Sequence, residues 1–205
     1  SSGWYNSKRK GNSTKIWTLI PDINFEKKLI DLGYDDKIDG KILRSNISDI
    51  DSLDVMNSNI YDMTGIEDFT DLKYLSCAAN YSPFYIDLSQ NTDLTYLSCF
   101  FNGLKTLDLS QNTALEHLQL GFNELTSLDV SACRSLKKLQ IPHNHLTTID
   151  LSQNTALKFL SVDNNQLTSL DVSNNKALES LNCYNNQLTS LDVSNNKALT
   201  KLRCH

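Results

Sequence analysis

One regularity constrains this chain more than any other. A leucine recurs at Leu53, Leu75, Leu97, Leu118, Leu139, Leu160, Leu181 and Leu202, giving two intervals of 22 residues and then five of 21. Two residues after each stands a second small apolar side chain: Val55, Cys77, Cys99, Leu120, Ile141, Val162, Cys183 and Cys204. Five residues after stands an asparagine, at Asn80, Asn102, Asn123, Asn144, Asn165 and Asn186, with Ser58 breaking the pattern in the first unit. A second asparagine column follows at Asn91, Asn112, Asn154, Asn175 and Asn196, where Cys133 substitutes once. A fixed period of this length is the mark of a solenoid, in which each unit buries its apolar stripe against its neighbours.

The spacing also dictates the coil. The LxL stretch alternates, so its two apolar side chains point inward and its intervening residues outward. Stacking coils about 4.8 Å apart makes a parallel sheet with one short strand per unit, eight in all. The asparagine after each strand can satisfy backbone groups where the chain turns sharply, which an apolar residue cannot. The Leu-Asp-Val-Ser segment, as at Leu128–Ser131, supplies the opposite, convex wall. A 21-residue unit leaves no room there for a full helix, so turns, extended segments or 3₁₀-like pieces are expected.

The unit from Leu178 to Ala198 resembles the short leucine-rich repeats of secreted and surface bacterial proteins. It is similar to the internalin-J-like class that carries a cysteine ladder, and to surface repeats common in Bacteroidetes. The first unit, with Ile60-Tyr-Asp-Met-Thr-Gly65-Ile66, looks more like a 22-residue internalin repeat. The resemblance covers residues 53–205. It implies a leucine-rich-repeat solenoid, a secreted or surface location, binding of host or neighbour molecules, and no catalytic residues.

Composition narrows the partners. The 24 acidic and 19 basic residues leave a net charge of −5, which argues against nucleic acid. No run of about 18 apolar residues is present, so no membrane insertion is expected. Residues 1–15, with Lys8-Arg9-Lys10, read as a solvated tail rather than a recruitment signal. The chain stops midway through the last strand, so a cap or further domain is expected beyond it.

Residues 16–52 read as an N-terminal cap that covers the first hydrophobic face. Asp22 or Asn24 fits a helix N-cap, Phe25, Leu29, Ile30 and Leu32 an apolar stripe, and Gly33 a stop. Ile16–Ile20 suits a short strand or clasp. The stretch from Asp35 to Ile42 resembles an EF-hand-type calcium loop but departs from it at Lys37 and Asn46, where oxygen ligands belong. The preferred reading is that Gly40 keeps the turn and the metal is lost; no metal and no cofactor are expected.

Each chemistry-bearing residue also has a structural role open to it. Four of the five cysteines share the inward column, which elsewhere holds Leu120, Ile141 and Val162. Disulfides would suit an extracellular protein, yet parallel in-register side chains point the same way and bridge poorly. Free buried thiols are favoured. A zinc site from Cys183, Cys204 and His205 lacks further ligands, and no cysteine stands exposed beside a base. His143 and His145 flank a turn and are expected to diverge. The column Asp87, Asp108, Asp129, Asp150, Asp171 and Asp192 suits a cation ridge or, preferably, local bonding to nearby Ser, Thr or backbone groups.

The informative positions are those where the repeats differ. The residue before the core leucine is Tyr74, Tyr96, His117, Lys138, Phe159, Ser180 or Lys201, and the two before the first asparagine include Phe100, Phe101, Phe122, His143 and Tyr184. The repeat frame turns them outward, onto the concave sheet face. An exposed aromatic cluster of this kind usually marks an interaction surface. The candidate ligand-binding residues are therefore Tyr74, Tyr96, Phe100, Phe101, His117, Phe122, His143, Phe159 and Tyr184. One extra residue between Asn80 and Asn91, within Tyr81-Ser-Pro83-Phe-Tyr85, suits a rim beside them. These features point to a recognition module for a protein or glycan. The alternative is a spacer that presents another domain and has no ligand of its own.

Overall fold

A computed structural model of the chain describes residues 15–80 and 84–204. The expected tail, apart from Lys15, lies outside the described residues, as do residues 81–83 of the expected rim and His205.

The chain begins with a small cap. Strand β1 (Trp17–Leu19) pairs antiparallel with β2 (Lys41–Leu43), and helix α1 (Ile23–Asp31) lies between them in sequence. Asp22 starts the helix: one carboxylate oxygen accepts from the Asn24 and Phe25 backbone N–H groups at 2.8 and 3.0 Å. Its other oxygen accepts from Tyr61 and Asp62 in the first coil, so one side chain both caps the helix and fixes the cap to the solenoid. The stripe is narrower than its apolar residues suggest. Phe25 and Leu29 are fully buried, whereas Ile23 and Leu32 are exposed. Phe25 stacks on Phe69 of the first coil with ring centroids 6.4 Å apart.

The segment Asp35–Ile42 forms a turn closed from inside the cap. Buried Glu26 accepts from the backbone N–H groups of Asp39, Gly40 and Lys41 at 2.8, 2.6 and 3.1 Å. Lys37 pairs with Asp39 at 2.7 Å, and Asn46 donates to the Tyr34 carbonyl at 3.0 Å. Of the two residues that depart from a calcium loop, Lys37 thus has its partner within the turn and Asn46 bonds to the residue just before it.

The remainder is an eight-stranded parallel sheet in strict sequence order: β3 (Ser52–Asp54), β4 (Tyr74–Ser76), β5 (Tyr96–Ser98), β6 (His117–Gln119), β7 (Lys138–Gln140), β8 (Phe159–Ser161), β9 (Ser180–Asn182) and β10 (Lys201–Arg203). The register places each repeat leucine opposite the next, from Leu53 with Leu75 to Leu181 with Leu202. The core is the continuous column these leucines make with the inward residues two positions on. The convex wall is built of turns, with a 3₁₀ segment at Ile66–Asp68.

Asparagine holds consecutive coils together. Asn123 donates to the carbonyls of Cys99 and Leu120 at 2.8 and 2.9 Å and accepts from the backbone N–H groups of Asn102 and Leu104 at 3.1 and 2.9 Å. Asn80, Asn102, Asn144, Asn165 and Asn186 repeat much of this pattern. In the second column each amide donates to two carbonyls of the preceding coil, as Asn112 does to Leu88 and Asn91. Cys133 occupies that column as a buried thiol 3.9 Å from the Leu109 carbonyl.

The aspartate column is bonded locally. Asp108, Asp129, Asp150, Asp171 and Asp192 each accept from the backbone N–H of the serine two residues on, at 2.8 Å. Those backbone bonds, helped by the serine hydroxyls, hold the five carboxyls below their ordinary range. Because the folded values are depressed, their contribution is complete above the unfolded carboxylate value and is lost as pH falls through the folded ones. Denaturation midpoints are therefore expected to stay level from about pH 7 to 5 and to fall below about pH 4. A midpoint that rises on acidification would show repulsion within the column to dominate.

Candidate functional site

Alternation along each strand sends the first and third residues to the outer sheet face and the leucine inward. Register then sorts the outer residues into rows that cross the coils. Tyr74, Tyr96, His117, Lys138, Phe159, Ser180 and Lys201 form one row; Asp54, Ser76, Ser98, Gln119, Gln140, Ser161, Asn182 and Arg203 form the next.

The first row carries an aromatic stripe. Tyr74 and Tyr96 stack with centroids 4.4 Å apart and planes 11° from parallel, and His117 follows at 6.1 Å, tilted. Burial pushes the Tyr96 phenol above its ordinary value, with the neighbouring Tyr74 adding to the effect. Phe159 is not part of this stack: Lys138 stands between it and His117 in the register, with its ammonium 5.3 Å from the Phe159 ring centre.

The second stripe lies beyond the other end of the strands. Phe101 stacks on Phe122 at 4.2 Å, and Phe122 on His143 at 4.0 Å, with planes 22° and 19° from parallel. Phe100 meets Phe101 edge-on at 4.8 Å and Phe122 at 5.2 Å. A Cβ on Gly121 would lie 2.3 Å from the Phe100 ring, so the glycine in the next coil leaves the space that ring fills. Tyr184 joins neither stack. The nine sequence-derived candidates thus divide into Tyr74–Tyr96–His117, Phe100–Phe101–Phe122–His143, and two separate residues. Four residues at about 3.3 Å each put the Tyr96 and Phe100 positions about 13 Å apart along the strand.

A backbone feature sets the second stripe apart. Ala79, Phe101, Phe122, His143, Asn164 and Asn185, the residues before the first asparagine column, all have φ between 51° and 58°. Only glycine adopts this left-handed region without cost; Asn and Asp tolerate it best among the rest, and a bulky residue there is an outlier. The sixth and seventh coils meet the requirement with asparagine. The third, fourth and fifth carry Phe, Phe and His instead, and leave Phe101 and Phe122 50% and 37% exposed. Neither backbone preference nor burial accounts for the two phenylalanine rings. The strain is measurable at Ala79, whose φ is 54°. Ala79→Asn is expected to raise stability by about 0.5–1 kcal/mol in chemical denaturation, and an unchanged or lower midpoint would remove the strain argument.

The chemical candidates fall elsewhere. All five thiols are free. Cys77 and Cys99 are fully buried, with sulfurs 2.9 Å apart. Burial pushes the Cys77 thiol well up, and raises those of Cys133 and Cys183 to about 11, which disfavours the thiolate. Cys204 departs from the expectation that the ladder buries its thiols: it is exposed just after β10. His143 and His145 diverge, His143 onto Phe122 and His145 to 3.5 Å from the Gln166 amide. Among the described residues no three His, Cys, Asp or Glu side chains converge as metal ligands, and no helix is long and apolar enough to cross a membrane.

Known proteins give the arrangement its context. The functional domain of InlJ from Listeria monocytogenes, which includes a cysteine ladder, matches 93% of this chain at 35% identity with a TM-score of 0.72. The chain spans 48% of that InlJ chain. Internalin C2 of the same organism matches 90% of this chain and 84% of its own length at 21% identity and a TM-score of 0.79. A leucine-rich-repeat protein of Leptospira interrogans covers 79% of this chain and 56% of its own, at 22% identity and a TM-score of 0.54. No protein-family model and no curated protein matches the sequence. With its 21-residue period, its asparagine columns and its cysteine-bearing core, the chain is a leucine-rich-repeat solenoid similar to the internalins.

Proposed function

We propose that this chain is a recognition module, secreted or held at a cell surface, that binds a partner on the aromatic part of its outer sheet face. One observation carries the reading. Phe101, Phe122 and His143 occupy left-handed positions that asparagine fills in the sixth and seventh coils, and the two phenylalanines remain solvent-exposed. The strain costs the free protein stability and the exposed rings gain nothing from burial, whereas a partner that covers the rings supplies that burial. Similarity to InlJ favours a binding role over catalysis, and such modules usually hold proteins. A glycan is the other ligand that exposed aromatic residues serve.

The test compares the intact chain with a Phe100→Ala/Phe101→Ala/Phe122→Ala variant on a glycan array and against surface proteins of host or neighbouring cells. The reading expects a specific signal from the parent that the folded variant loses. Signals that all survive in the variant would refute the aromatic site. No signal from either protein would favour the spacer.

A further inference from the structure

Two aromatic stripes flank a polar row on the outer sheet face. Ser76, Ser98, Gln119 and Gln140 run side by side across β4 to β7, with the Tyr74–Tyr96–His117 stripe on one side and the Phe100–Phe101–Phe122–His143 stripe on the other. Ser76 and Ser98 lie buried at the floor of this row, with the Ser98 hydroxyl donating to the Gln119 amide oxygen at 3.3 Å, so the half-buried Gln119 and Gln140 amides are the polar groups it offers. The rings spend their faces on one another, with Tyr74–Tyr96, Phe101–Phe122 and Phe122–His143 all stacked at 4.0–4.4 Å.

Charge frames the same strip. Across β4, β5 and β6 its outer residues include no Asp, Glu, Lys or Arg. Exposed Asp54 on β3 heads the polar row, and Lys138 on β7 closes the tyrosine stripe. One Asp54 oxygen accepts from the Met56 backbone N–H at 3.0 Å, which leaves its partner oxygen for a ligand. The four strand spacings between β3 and β7 amount to about 19 Å, the length of about six extended residues.

We infer that the partner is an extended protein segment lying across the strands along the Ser76–Gln140 row. It carries a basic group over Asp54, an acidic group over Lys138, and uncharged, mainly apolar side chains between them. An extended chain turns alternate side chains to opposite sides. Its backbone therefore passes over the row and meets the Gln119 and Gln140 amides, while its side chains reach the tyrosine stripe and the phenylalanine stripe in turn. The opposite charges at the two ends fix the segment's direction. This inference rests on the recognition reading above and adds the partner's chemical class and orientation.

The experiment selects a random heptapeptide display library on the intact chain. In parallel the library is selected on an Asp54→Lys/Lys138→Glu variant, in which both positions stay on the surface and each charge is reversed. The parent is expected to enrich peptides with a basic residue at one end, an acidic residue near the other and alternating apolar positions between. The charge-reversed variant is expected to enrich the opposite polarity and to bind the parent's peptides about tenfold or more weakly. An Asp54→Asn/Lys138→Gln variant is expected to lose the polarity preference while retaining the apolar pattern. Enriched peptides that bind the parent and the charge-reversed variant alike would overturn the inference. So would a glycan signal lost on Phe101→Ala/Phe122→Ala with no peptide enriched, and that second outcome would leave the recognition reading in place.

Discussion

Asn123→Ala is expected to cost about 3 kcal/mol. The side chain sits 6% exposed between coils and makes four buried hydrogen bonds of 2.8–3.1 Å, two as donor and two as acceptor. Truncation leaves the Cys99 carbonyl and two N–H groups buried without partners, each worth about 1–3 kcal/mol, while the Leu120 carbonyl keeps the Asn144 amide at 2.9 Å and admitted water recovers part of the loss. Asn123→Asp separates shape from hydrogen bonding: it keeps an acceptor for the N–H groups and turns a carboxylate toward the Cys99 and Leu120 carbonyls. It should destabilise at least as much as alanine. Because coils touch only their neighbours, the damage concentrates at one interface, and amide exchange should quicken at Asn102 and Leu104 before it does in β8 and β9. A loss under about 1 kcal/mol would mean that the column fills space without holding the coils together.

Glu26→Ala is expected to cost about 3 kcal/mol, in the cap. Its carboxylate is 1% exposed and is the acceptor for three consecutive N–H groups of the Asp39–Lys41 turn. Hydrogen bonds to an ionised group are worth about 1.5–3 kcal/mol each, and the freed amides regain only part of that from water. The Ile20 N–H donates to the Gly40 carbonyl at 2.9 Å, so loosening the turn also frees β1 from β2. Glu26→Gln keeps an acceptor without the charge and should lose about half as much. Denaturation together with amide exchange at Gly40 and Lys41 checks both variants. Unchanged exchange in the alanine variant would contradict the account.

Much of this architecture is legible in the sequence because it repeats. Leu97, Cys99 and Asn102 carry their roles in their spacing: an inward pair and a turn residue, restated coil after coil. Asp22 reads as a helix cap by residue type alone. Its second role, as acceptor for Tyr61 and Asp62, depends on a contact 39 and 40 residues away and leaves no local mark. Glu26 escaped for the same reason, although an acidic residue directly beside Phe25 in an otherwise apolar helix stripe was a usable signal.

The aromatic residues are legible as a set, and their division into two stripes is not. Spacing alone gives Phe100 and Phe101 the same standing, since φ is invisible in a sequence. The comparison among coils held the hint: Asn164 and Asn185 fill the position of Phe101, and asparagine is the residue that tolerates left-handed backbone. Phe159 and Tyr184 share the frame of the other candidates but not their neighbours, because Lys138 interrupts one stripe and Asn164 ends the other.

We assign folding to the columns and propose recognition for the strained aromatic positions. A Phe101→Asn/Phe122→Asn/His143→Asn variant separates the two, with stability and binding read on the same preparation. Each substitution gives up ring stacking worth about 0.5–1.5 kcal/mol and relieves left-handed strain of about 1 kcal/mol. The variant is expected to keep a denaturation free energy within about 1 kcal/mol of the parent and to lose all binding to the parent's ligands on arrays or peptide libraries. A variant destabilised by more than about 3 kcal/mol would instead identify the rings as packing between coils. A stable variant that binds as the parent does would contradict their role in recognition.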